Sequence, residues 1–364
     1  MRLKITEAEV GKNNSFQPNF KLNKCMIKIE YFKGIPIEYE SFLIERYNSF
    51  ITTCRYIEVY YSSFDINYMV VYNDNVMIDL LVFGNKDGTA TCFNSLVNID
   101  QRVVSAFTIK IFENFPSIQK IKIVASYTEY TSQKAILYSK TDDSILNLPS
   151  AMDDFYLMLG SSTRQHIRSR RGKLLRDYPS INYVTKFGVD IEESNIDKII
   201  QLNGERMKHK GIIPGIDNTY RKNIYKYSQH YGCVTYIEID GLVVAGCIAT
   251  ILEKGMFLHV FAHDENYSKY NIGEACVCYL IQTAIEKGIP TFHFLWGESE
   301  LKKRLLGKPF PLYSYFIFRD YSIYYVLSKI NIYISTLMVR LQRSEMLKPV
   351  KKAVKFYRKS KWRA

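Results

Sequence analysis

Between residues 232 and 296 the apolar positions come in short dense runs separated by turn residues. Residues 233–239 and 242–252 read as two β-strands on either side of Asp240-Gly241, a pair that tolerates the positive φ of a tight hairpin turn. A third strand is predicted over 256–262, then a polar loop over 263–271 and a helix over 274–287. That helix carries Ala275, Cys276, Val277, Tyr279, Leu280, Ile281, Ala284 and Ile285, apolar nearly all round, which predicts burial against the sheet, with Gly288 as its stop. A last strand, 291–296, ends at Gly297. Strand, loop, buried helix and strand make a crossover unit, which in an open sheet puts ligands at the loop and the helix N-terminus.

The same order occurs earlier in the chain. Strands over 69–72 and 76–83 flank Asn73-Asp74-Asn75, followed by a β-rich stretch (89–97), a helix (101–113) and a strand (118–124). Asp74 stands to its hairpin as Asp240 does to its own, 166 residues later. Two copies of one unit is the simplest account, and chance recurrence of common elements is the alternative. The first copy lacks a glycine before its helix and has Pro116 after it, which predicts a scaffolding role. A chain of 364 residues that is 47% hydrophobic can bury two substantial cores. The expected division is 1–150 as an N-terminal unit, 151–320 as the unit carrying the chemistry, and 321–364 as a helical basic tail.

Charge changes this picture in two places. The net charge is +13, and from residue 340 onward ten Lys and Arg face one Glu. The preceding stretch, 321–339, is apolar but too mixed for a membrane span. It predicts either a helix lying on an anionic membrane surface or a helix packed on the body with a solvated basic end. The second place is 161–176, where Ser161 or Ser162 is the expected N-cap, Ile167, Leu174 and Leu175 the core-facing positions, and Arg164, Arg168 and Arg171 share one helical face. A row of guanidinium groups suits phosphate, so nucleic acid, a nucleotide-linked sugar, a lipid phosphate and a plain solvated face all remain open. The seven cysteines form no CxxC pair and sit in apolar runs, the pattern of buried reduced thiols. Residues 1–10 lack an apolar signal-peptide core, which predicts a cytoplasmic protein, with the inner face of the membrane open through the tail.

The order of elements from 232 to 297 resembles the acyl-transfer core of the GNAT superfamily. The resemblance implies an α/β fold of two tandem GNAT-like units, each a mixed twisted sheet flanked by helices, plus the basic helical tail. It also implies an acyl-CoA donor, acetyl-CoA first, whose pyrophosphate sits on Lys269, Asn271, Ile272, Gly273, Glu274 and Ala275, where free N–H groups and the positive helix end suit a phosphate. This loop keeps one glycine where ordinary members have a denser Gly and Arg or Gln pattern, and Glu274 would repel a phosphate or serve as a favourable first-turn carboxylate. The Ser-x-x-Arg-x-x-Ile-Arg helix at 161–168, followed by the helix at 199–211, is similar to the acetyltransferase domain of CelD-like polysaccharide-associated proteins, relatives of the Fem-type peptidoglycan aminoacyltransferases. In that group a glycine after the last core strand is followed five residues on by a lysine, here Trp296-Gly297 and Lys302, and a strand aspartate of the pattern falls at His293.

Acyl transfer needs a base for the acceptor and donors for the oxyanion. His263, Asp264 and His293 are the base candidates, and Lys302, through the resemblance, the oxyanion candidate. His259 reads as a satisfied core residue. Arg164, Arg168, Arg171, Arg206, Trp296 and Gly297 are the candidates for binding substrate. No Walker loop, Ser-His-Asp order or zinc-spaced cluster competes, and no metal is expected. Three functions stay open. The first is transfer from acyl-CoA to a sugar, nucleotide-sugar or lipid-linked glycan in surface polysaccharide synthesis; the second is Fem-like aminoacyl transfer from charged tRNA to a cell-wall precursor; the third is a non-catalytic module for anionic lipid or RNA.

Overall fold

The computed structural model describes residues 27–321 and 323–343. The basic segment 344–364 and Cys25 therefore lie outside the described residues. The described residues open with β1 (Ile27–Lys33), α1 (Glu40–Tyr47) and α2 (Cys54–Tyr60). The first unit continues with β2 (Asp65–Asn73), β3 (Val76–Lys86), β4 (Thr89–Cys92), α3 (Gln101–Asn114), β5 (Lys120–Ser126) and β6 (Ala135–Asn147). Then come α4 (Met152–Met158), α5 (Ser161–Asp177), β7 (Asn182–Phe187), α6 (Glu193–His209) and α7 (Asn218–Tyr231). The second hairpin and crossover are β8 (Gly232–Ile239), β9 (Leu242–Leu252), β10 (Gly255–His263), α8 (Ile272–Glu286) and β11 (Thr291–Trp296). The described residues close on α9 (Glu300–Arg304), β12 (Lys308–Phe318) and α10 (Ile323–Arg343).

The repeat seen in the hydrophobic pattern is a repeat in space. β4 pairs parallel with β5 and β10 with β11, while the strands before each are antiparallel. Both hairpins turn through two residues at positive φ, Asp74 and Asn75 in one, Asp240 and Gly241 in the other, the requirement of a type I′ turn. The penultimate residues of the two parallel strands, Ala125 and Leu295, also share a left-handed conformation, with φ of 50° and 57°.

The twelve strands of the described residues form one sheet, in the order β1-β2-β3-β4-β5-β12-β6-β11-β10-β9-β8-β7. The two units exchange strands at its centre: β12, last in sequence of the described strands, lies between β5 and β6, and β6 lies between β12 and β11. On one face of the second half, α8 buries Cys276, Val277, Leu280, Ile281 and Ala284 against β8 to β10, and α5 adds Ile167 and Leu174. On the other face α6 and α7 cover Val234, Ile248 and Val260. Gly246 lets α6 come close, since a Cβ there would lie 2.3 Å from Ile199 Cγ1. A third cluster, with Phe50, Leu96, Tyr227, Phe257 and Leu312, joins the halves.

Two expectations for α5 need correction. Its N-cap is Gly160 and no side chain caps it, because the helix starts at Ser161 itself. Leu175 is exposed, being one residue, about 100° of helical turn, past the buried stripe at Leu174. The six described cysteines are free and buried. α10 leaves Val326, Leu327, Ile330 and Tyr333 exposed. Among the described residues no helix is long and apolar enough to cross a membrane.

Candidate active site

β10 and β11 run together for only three residue pairs, ending at Phe257 and His293, and then part. On its other side β10 stays paired to β9 as far as His263, with a bulge between Leu258 and Val260. The edge of β10 that faces the fork therefore carries backbone groups with no strand partner among the described residues. Beyond His263 the chain turns through Asp264, whose carboxylate accepts from the Asn266 N–H at 2.9 Å, and reaches Asn271 in the left-handed region at φ 53°. α8 starts there, and no side chain caps it. Gly273 packs on His263, and a Cβ at 273 would lie 2.6 Å from the imidazole Nδ1.

Two polar groups in this region carry buried atoms with no hydrogen-bond partner among the described residues. His263 Nδ1 is buried and has no partner, and burial holds the imidazole below its ordinary pKa, with Arg206 and Lys210 adding to the effect and Glu265 and Asp264 opposing it. Arg206, on α6, lies over the Phe261 ring at 4.7 Å, and its buried Nε likewise has no partner. Among the loop candidates, Glu274 is buried and paired with Arg304 at 3.0 Å, so its charge is neutralised locally. Its other oxygen receives the Asn271 amide at 3.3 Å. Ile272 is fully buried. The Lys269 carbonyl accepts from Arg170, and its ammonium lies over the Tyr270 ring at 4.9 Å. Asn271, Glu274, Ala275 and Arg171 share a cavity of about 150 Å³ between α5 and α8, so one arginine of the row reaches the loop. Arg168 is exposed, and Arg164 donates to the Tyr156 carbonyl at 3.4 Å.

Within the fork on the α7 side lies a second cavity, of about 170 Å³. Its walls are aromatic: Phe50, Tyr56 and Tyr60 come from the first unit, Tyr220 and Tyr227 from α7, and Trp296 from the end of β11. His259, in the bulge of β10, also lines it. The ring contacts Phe50 edge-on at 4.5 Å, and Nε2 shares a hydrogen bond of 2.7 Å with the Thr250 hydroxyl. Burial pulls its pKa down to about 4, so the imidazole is neutral at neutral pH. The residue read as a satisfied core histidine is satisfied, and it also faces a cavity.

His293 and Lys302 form a separate group around the end of β11. His293 Nδ1 is 2.7 Å from Oδ2 of Asp143, which is fully buried and also accepts from the Tyr127 hydroxyl at 2.7 Å. Burial, with the neighbouring carboxylate adding to it, pushes the Tyr127 phenol up. Lys302 Nζ donates to the carbonyls of Leu295, Trp296 and Gly297 at 2.9, 2.7 and 2.8 Å. An ammonium with three donors so engaged has none left for an oxyanion, and its visible role is to hold the curled end of β11. Gly297 has φ 79°, and Trp296 is 46% exposed at the rim. Among the described residues no hydrogen bond or ion pair joins this group to His263 and Asp264.

Residues 161–303 match the family model of the acetyltransferase (GNAT) domain. The GNAT match thus takes in the α5 arginines, the fork, the loop and Lys302, and leaves out the first unit. No curated protein matches the chain in sequence. In fold the chain is similar to a conserved protein of unknown function from Bacteroides thetaiotaomicron, with 14% identity, 81% of this chain and 100% of that one covered, and a TM-score of 0.52. It is also similar to FemX, with 11% identity, coverage of 79% and 97%, and a TM-score of 0.58.

Sequence reasoning missed the tyrosines of the fork, Tyr127 and Asp143. The Tyr-rich run at 56–61 was a visible signal. Asp143 gave none, because its partners His293 and Tyr127 are 150 and 16 residues away.

Proposed function

We propose that the protein is an acyltransferase, moving an acyl group from acyl-CoA to an amine or hydroxyl of a sugar or nucleotide-linked sugar in surface polysaccharide synthesis. The observation that carries this reading is the parting of parallel β10 and β11 beside an uncapped helix N-terminus, inside the segment that matches the GNAT model. Donor phosphates would lie against the first N–H groups of α8 with Arg206 and His263 beside them. The pantetheine arm would add to the unpaired edge of β10, bringing the thioester carbonyl into the fork. The acceptor attacks that carbonyl directly, its proton passing to a neighbouring base and the C–S bond breaking to release the thiol. His293 is our choice for the base, because Asp143 fixes its Nδ1 and so orients the ring. Cys276 and Cys278 are buried, so a covalent enzyme intermediate is not part of this scheme.

In this reading the first unit is a scaffold that supplies the far wall of the fork cavity. The protein would work in the cytoplasm or on the inner face of the membrane, where acyl-CoA is made. A second reading, Fem-like aminoacyl transfer from tRNA, is favoured by the net charge of +13 and by the likeness in fold to FemX over 79% of this chain.

A thermal-shift titration with acetyl-CoA, free CoA and bulk tRNA, repeated on Gly273→Glu, tests both. Stabilisation by CoA that Gly273→Glu abolishes is the expected result. A salt-sensitive shift with tRNA and none with CoA would promote the second reading.

A further inference from the structure

A groove of about 610 Å³ runs across the seam where the two units exchange strands, within the size range of small-molecule sites. Asn48, Asn98 and Tyr127 come from the first unit, Lys254 and His293 from the second, and Phe310 from β12. Below it lies Asp143, fully buried, with Oδ2 shared by His293 and Tyr127 and Oδ1 without a partner among the described residues. A carboxylate taken wholly out of water is costly unless its partners are fixed, and such groups are held where they orient others. Here the two groups it holds are both on the groove wall.

We infer that this groove binds a neutral polyhydroxylated ring, a saccharide unit. Three features carry the assignment. Phe310 is 42% exposed, a large flat apolar face turned to solvent at the rim, of the kind that packs on the C–H face of a sugar. The polar lining is made of groups that donate and accept in fixed directions. Asn98 Oδ1 receives the Thr128 hydroxyl at 3.0 Å, which leaves its NH₂ for a ligand. Asn48 is pinned, its Oδ1 accepting from the Lys254 N–H at 3.1 Å and its amide nitrogen packed against Gly255. Finally, Lys254 is the one Lys or Arg of the lining among the described residues and a carboxylate lies beneath, so the groove is poor for phosphate, in contrast to the loop with Arg206. The inference deepens the acyl-transfer reading by giving the acceptor a seat beside His293, but binding itself does not depend on that reading.

The test is saturation-transfer NMR on the full chain with glucose, N-acetylglucosamine and galactose, with inorganic phosphate as the anionic control. The expected result is transfer to at least one sugar. Phe310→Ala should weaken it about threefold to tenfold, the share of one ring contact, and Asn98→Ala should weaken it further. Both positions are at the rim, and an unchanged melting temperature checks that the variants fold. Absence of transfer to all three sugars, or transfer that survives both substitutions, would overturn the inference. Phosphate displacing a bound sugar would reassign the groove to an anion. The CoA-dependent thermal shift should be the same in wild type and Phe310→Ala, so failure here and failure of the donor site are read separately.

Discussion

Lowering the pH should destabilise this protein through His259 in a way that can be measured against one substitution. In the unfolded chain the imidazole titrates near 6.5, and in the folded chain near 4, because burial disfavours the cation. Between these values the unfolded state binds more protons, so stability rises with pH through the window and is lost as pH falls from about 6.5 toward about 4. At about pH 5 nearly all unfolded molecules carry the proton and about one folded molecule in ten does, which works out to a loss of roughly 2 kcal/mol relative to pH 7. His259→Gln keeps a group able to bond Thr250 and removes the titration. Urea denaturation of both proteins at about pH 7 and pH 5 gives the comparison, and carboxylates and His263 cancel in the difference. Wild type should lose about 2 kcal/mol more than His259→Gln. Equal losses, within about 0.5 kcal/mol, would refute the claim that the fork cavity holds this imidazole in a dry environment.

Other outcomes follow from the same geometry. Lys302→Met removes three hydrogen bonds from an ammonium, one of them partly buried, and should cost about 1.5–3 kcal/mol in chemical denaturation, with amide exchange accelerated around 295–297. Gly246→Ala drives a methyl into Ile199 and should cost about 1–3 kcal/mol, partly recovered in the double variant with Ile199→Ala; additive losses would show that the contact is not the cause. Asp143→Ala leaves His293 and Tyr127 without their shared partner and should cost about 3–5 kcal/mol, measurable as a fall in urea midpoint. Gly241→Ala, at φ 76° in the second hairpin turn, should cost about 1 kcal/mol with no effect on ligand-induced thermal shifts.

The parts of this fold that were legible are those written locally. Asp240-Gly241 and Asp74-Asn75 take the positive φ their residue types permit, and the strands at 242–252 and 291–296 have the limits their apolar runs suggest. The burial of α8 follows from apolar residues nearly all round it. The exchange of β6 and β12 was not legible, because a strand's pattern says which face is buried and not which edge it meets. At the candidate site the loop and helix start at 263–275 were legible as elements, and the arrangements that depend on pairing across the sheet were not. His259 shows the boundary between the two: a bulge, which has no sequence mark here, turns a strand histidine toward a cavity.

The exchanged strands also set the order of events as the chain is made. β5 finds one of its two neighbours in β12, and the Ala125 N–H waits for the hydroxyl of Ser314, 189 residues further on. At about 5–20 residues per second a ribosome needs about 10–40 s to supply it. For that interval the first unit stands with an open, apolar sheet edge, the kind that invites pairing with another chain. A fragment ending before residue 308 would remain in that condition permanently, so cutting the chain between its repeats should yield aggregation in place of a folded half.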